Sequence, residues 1–126
     1  MSGGQRHMDE QKETRIFYKT YVDAIHSGMV ADMGAERWQT LCVLAAYMDE
    51  NGECYPSMES IAMRLGITRE SASRRISRLM KYRWKGKPIV SVRRRREPGP
   101  GTWANNVYTI APESELQFGN KERNSS

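Results

Sequence analysis

Four residues near the middle of the chain, Leu65-Gly66-Ile67-Thr68, separate two segments that each repeat apolar side chains at helical spacing. Ahead of them, Pro56 precedes a serine suited to an N-cap, Ser57, and Ile61, Ala62 and Leu65 then fall on one face. Gly66 supplies the residue type that closes a helix in the left-handed conformation. Beyond it, the Thr68 hydroxyl can accept from the free N–H groups of a new helix, Glu70 suits that helix's positive end, and Ala72, Ile76, Leu79 and Met80 form the next inward stripe. Two short amphipathic helices joined by so tight a turn need a further surface on which to bury both stripes.

That surface is legible upstream. In "GAERWQTLCVLAAYMDENG", Trp38, Leu41, Cys42, Ala45 and Met48 follow a helical stripe widened by Leu44, and Asn51-Gly52 is the expected stop. Before it, "RIFYKTYVDAIHSG" mixes alternation with helical spacing and is read as an extended start running into a short helix before Gly28. Downstream, "GKPIVSVRRRRE" and "WANNVYTI" flank the turn-rich "PGPGT" and predict an antiparallel hairpin with Val90, Val92, Tyr108 and Ile110 facing inward. Trp103 and Tyr108 are read as packing aromatics. The expected class is therefore α+β: a three-helix core with a C-terminal two-stranded wing and a short N-terminal strand. Residues 1–13 are expected to be disordered or an expression remnant, 14–112 to form the domain, and 113–126 to be a flexible tail.

Charge then separates surface from core. Thirteen of the twenty Lys/Arg fall between Arg64 and Arg96, a window whose one acidic residue is Glu70. Such a concentration is tolerable only with a polyanion or solvent opposite it, and its placement has to decide between them. Helix, short helix, tight turn, basic helix and hairpin is the order of a winged helix-turn-helix, and a helix about 10–12 Å across fits a major groove about 12 Å wide. On the second helix of the pair, Glu70, Ser71, Arg74 and Arg75 are the candidate base readers, because the first two turns reach the groove floor and Arg can bind guanine while Glu accepts from cytosine. Thr68, Arg69, Ser73 and Arg78 are candidate backbone contacts. In the wing, alternation sends Arg93 and Arg95 to one face and Arg94 and Arg96 to the other, and some of these four are expected on phosphates or in an adjacent minor groove.

From Arg37 to Ile110 the chain resembles the winged-helix domains of bacterial, plasmid and phage replication initiation proteins and related mobile-element regulators. Ser57, Ile61-Ala62, Leu65-Gly66, Ile67-Thr68, Ile76, Leu79 and Asn106 to Ile110 carry the likeness, while Ser71-Ala72 stand where those proteins frequently have Thr or Val. The resemblance implies double-stranded DNA as partner, in replication initiation, conjugative transfer or transcription control. Replication or transfer proteins are the further partners it suggests. A homodimer on paired half-sites, with Phe17, Tyr18 and Tyr21 as one interface, stays open beside a self-covering role for those residues. The competing class is a winged-helix protein-interaction module that docks an acidic partner.

Catalytic and cofactor readings find little in the sequence. It has no P-loop, and His7 and His26 lack neighbours at metal-ligand spacing. Asp49-Glu50 read as solvated. The expectation is a non-enzyme without cofactor. Cys42 and Cys54 are read as reduced thiols, Cys42 as a small core hydrophobe. With no apolar run long enough to span a bilayer and no secretory pattern, the expected location is the cytoplasm.

Overall fold

Ser57 is extended (φ −73°, ψ 161°) and its hydroxyl accepts from the Ser60 N–H at 3.1 Å, which satisfies one free donor and starts helix α3, Met58–Leu65. Thr68 repeats the device: its Oγ1 accepts from the Ser71 N–H at 3.1 Å and opens α4, Arg69–Lys81. Between them Gly66 holds φ 72°, and Ile67 N–H returns to the Ala62 carbonyl at 3.0 Å. A side chain with a Cβ is strained at that φ, so the tight corner depends on glycine. These features belong to a computed structural model that describes residues 14–96 and 104–122. The expectations for 1–13, for the "PGPGT" loop and for Trp103 lie outside the described residues.

In chain order the elements are β1 (Thr14–Thr20), α1 (Asp23–His26), α2 (Met29–Ala45), β2 (Glu53–Cys54), α3, α4, β3 (Arg83–Trp84), β4 (Lys87–Pro88), β5 (Val90–Arg96), β6 (Ala104–Ile110), a short 3-10 turn over Pro112–Ser114, and β7 (Leu116–Glu122). Helix and strand are thus mixed, as an α+β class requires. One sheet has the order β2-β6-β5, β1 pairs with β7, and β3 pairs with β4, all antiparallel.

The core lies where α2, α3 and α4 meet the inner face of the three-stranded sheet. Leu41 and Leu44 of α2, Ile61 and Leu65 of α3, Ala72, Ile76 and Leu79 of α4, and Val90, Tyr108 and Ile110 of the sheet are all buried in one cluster. Each fully buried aliphatic side chain contributes about 1.5–3 kcal/mol relative to exposure, so the three stripes supply most of the drive to dock the helices.

Several expectations need correction. Helix α2 begins earlier, at Met29, is kinked where Gly34 leaves helical geometry (φ 86°, ψ 167°), and ends at Ala45. Asn51-Gly52 do not stop it. Instead the Asp49 carboxylate accepts from the N–H groups of Asn51 and Glu53 at 2.9 and 3.0 Å, turning the chain into β2, a strand the sequence did not announce. Gly52 there lies against β6, accepting from Ile110 N–H at 2.8 Å.

Residues 113–126 are not simply a loose tail, because β7 covers 116–122 in register with β1 over seven pairs, from Thr14↔Glu122 to Thr20↔Leu116. Leu116 is buried, Ser114 is buried beside it, and the Phe17 ring lies across Gly119, filling space that any side chain there would need. Val92 sits in β5 at the register expected, opposite Tyr108, but is exposed while Tyr108 is buried, since β5 is the edge strand. Cys42 is half-buried and Cys54 fully buried, the reverse of the emphasis the stripe suggested. Among the described residues no helix is long and apolar enough to cross a membrane.

Candidate nucleic-acid interface

Helix α4 presents two distinct outer flanks because only one side is buried. Ala72, Ile76 and Leu79 face the core, so at about 3.6 residues per turn the opposite line runs Glu70, Arg74, Ser77 and Lys81, and all four are exposed. Arg74 donates to Ser71 Oγ at 3.1 Å, a bond along the helix that leaves its guanidinium at the surface. Ser77 and Lys81 were missed as candidates. Continuing the i, i+4, i+7, i+11 progression from Glu70 would have found them.

The flank toward α2 is occupied. Arg78 Nε donates to Glu36 Oε2 at 2.6 Å, Arg75 Nε lies 3.8 Å from Glu36 Oε1, and Arg75 Nη1 donates to Gln39 Oε1 at 3.2 Å. The Arg78 hydrogen bond holds the Glu36 carboxyl below the ordinary carboxylate range, with the Arg78, Arg75 and Arg37 charges acting in the same direction. Arg75 was expected on base edges and Arg78 on phosphates. The structure engages both against α2, because they lie on the flank of α4 that faces Glu36.

The other flank opens onto a concavity of about 470 Å³ between the start of α3, the start of α4 and the β5–β6 sheet. Its walls include Ser57 and Glu59 of the α3 end, Arg69, Glu70 and Ser73 of α4, and Arg94 and Asn106 of the sheet. Arg69 pairs with Glu59 at 3.1 Å across two exposed side chains, so it is partly neutralised at rest. Asn106 stands opposite Arg94 in the strand register and donates to Tyr108 Oη at 3.3 Å on the groove floor. Neither Ser57 nor Asn106 was singled out as a contact from the sequence.

Arg93 and Arg94 of β5 divide as alternation requires. Arg94 lines the groove, whereas Arg93 turns to the other face of the sheet and pairs with Glu53 of β2 at 3.3 Å. Arg95 and Arg96 continue β5 by backbone register, opposite Asn105 and Ala104. Among the described residues no carboxylate pairs with Arg74, Lys81 or Arg94. Of the other expected contacts, Thr68 is committed to its cap, and Ser71 is half-buried beside Arg74.

A protein-family model described as a helix-turn-helix domain matches residues 40–84, from within α2 through α3 and α4 to β3. The match supports a helix-turn-helix DNA-binding domain over that stretch, and it ends before the β5–β6 hairpin. Neither the curated proteins nor the solved structures gave a match.

Proposed function

We propose that the protein is a winged helix-turn-helix that recognises a specific site on double-stranded DNA. Helix α4 enters the major groove, and β5–β6 forms a wing on the neighbouring backbone. Arg74 and Glu70 are the base readers. Ser57, Arg69, Ser73 and Arg94 contact phosphates, and Arg95 and Arg96 extend the wing. Arg75, Arg78 and Arg93 act as positioning residues within the protein.

The observation that carries this reading is the shared groove: the first turns of α4 and Arg94 of β5 border one concavity, so one polyanion can meet both at once. The match over residues 40–84 supports the helical half independently. The likeness of residues 37–110 to initiators and regulators of mobile elements makes an origin, a transfer origin or a promoter of such an element the expected location of the site. Paired half-sites about one helical turn apart would indicate a homodimer.

Selection from a random duplex pool, followed by footprinting of the enriched sequence, tests the reading. Enrichment of a discrete motif protected in adjacent grooves is the expected result. A pool that stays random after repeated rounds, with capture of an acidic protein instead, would overturn it.

A further inference from the structure

The segment that follows α4 is rich in cationic side chains. "KYRWKGKP" places Lys81, Arg83, Lys85 and Lys87 within seven residues; Lys81 ends α4, and the other three fold into the small β3–β4 hairpin, with Arg83↔Pro88 and Trp84↔Lys87 in register. Both turn residues have positive φ, Lys85 at 53° and Gly86 at 82°. This is the turn class that favours Asn-Gly or Asp-Gly, and a lysine at its first position carries backbone strain that an asparagine would relieve.

The hairpin is also braced. Arg83 Nη1 donates to the Gly86 carbonyl at 3.3 Å, the Lys85 ammonium sits 5.5 Å from the Trp84 ring centre, and Trp84 is half-buried against the core. A cation at the tip of a braced turn, resting on the Trp84 ring, is held in place at the surface rather than left to trail. Lys87 is partly spent on Glu113 at 3.8 Å, whereas no carboxylate pairs with Lys81 or Lys85 among the described residues.

Position supplies the partner. The exposed line of α4 runs from Glu70 to Lys81, and the chain passes through Tyr82 directly into the hairpin. Thirteen helical residues extend about 20 Å, whereas the major groove is about 12 Å wide. A helix whose first turns reach bases therefore runs out over the bordering sugar–phosphate strand. We propose that the Arg83–Pro88 hairpin is a second phosphate-binding element, with Lys85 gripping the DNA backbone at the far end of α4 from the wing. The proposal rests on the DNA-binding reading above.

Lys85→Asn separates the charge from the fold, because asparagine suits the turn better than lysine. The full-length variant is titrated against a fluorescein-labelled duplex carrying the selected site, at several salt concentrations, beside wild type and Lys85→Arg. The expected result for Lys85→Asn is an unchanged or higher thermal midpoint, a salt slope shallower by about 0.9, and affinity lower by about three- to eightfold near 0.1 M salt, with Lys85→Arg close to wild type. Wild-type slope and affinity retained in Lys85→Asn, while wild type itself binds steeply, would overturn the hairpin proposal alone. A flat salt response in wild type would overturn it together with the DNA reading.

Discussion

Glu36 Oε2 accepts from Arg78 Nε at 2.6 Å, and the same carboxylate reaches Arg75 at 3.8 Å, so one acid on α2 fixes two arginines of the basic helix. The Glu36 carboxyl titrates below the ordinary range in the folded protein, chiefly through the Arg78 hydrogen bond. A depressed carboxylate contributes stability that is present above its unfolded value, about 4.3, and is lost as pH falls through the folded value. Glu36→Gln should therefore flatten the acid limb of the stability profile while lowering neutral-pH stability by no more than about 1 kcal/mol, since the pair is exposed. It should raise affinity for duplex DNA by releasing two cations. Urea melts from pH 3 to 7 and duplex titrations check both expectations, and an acid limb as steep as that of wild type, or reduced DNA affinity, would count against them.

Thr68→Ala removes the hydroxyl that caps α4 and should cost about 1 kcal/mol of unfolding free energy, with the denaturant dependence unchanged. Thr68→Ser should restore most of the loss. Urea unfolding followed by far-UV circular dichroism reads this directly.

These caps were legible because they are local. Ser57, Gly66 and Thr68 announce their geometry within three residues of where it is used, and the apolar stripes of α3 and α4 follow from spacing alone. The strand β7 was not legible, because Leu116 and Phe118 are the only strong alternating pair in it and its partner, β1, lies roughly a hundred residues away in the chain. The extent of α2 was misread because Asn51-Gly52 carry the same composition whether they end a helix or turn into a strand. On the candidate interface, sequence separated the buried side of α4 from the rest, but a rotation of one residue, about 100°, decides whether an arginine faces outward or toward Glu36. Arg75 and Arg78 fell on the inner side of that boundary. Their acceptor lies some forty residues upstream, where no local pattern marks it.

The β1–β7 pair gives a test of the C-terminal boundary. Leu116→Ala should destabilise the protein by about 2–3 kcal/mol, as expected for a buried leucine. Gly119→Val should displace the Phe17 ring and loosen β1. Hydrogen exchange should show protection of the Phe17 and Gln117 amides falling together in either variant, and unchanged protection would show the pair contributes little.

Cys54 is buried and its thiol is pushed up to about 12, chiefly by desolvation; burial also raises Tyr18 and Tyr82 to about 12. Groups raised in the fold contribute stability present below their unfolded values and lost as pH rises through the folded ones, so stability should decline between about pH 9 and pH 12. At pH 8 a thiol reagent should modify the half-buried Cys42 while sparing Cys54 until the protein unfolds. Thiol counting in native and denaturing buffer checks this, and two rapidly reacting thiols in the native protein would contradict it.

If α4 and β5 offer one duplex a joint cationic surface, binding must depend steeply on salt. Titrating wild type, Arg74→Ala and Arg94→Gln against the selected duplex should give a wild-type plot of log K against log salt with slope about −5 to −7, for six to eight phosphates neutralised. Arg94→Gln should be shallower by about one with site preference kept, and Arg74→Ala should lose about 1–3 kcal/mol on the preferred site with preference relaxed at one position. A wild-type slope near zero, or binding indifferent to both substitutions, would rule out a joint surface for DNA.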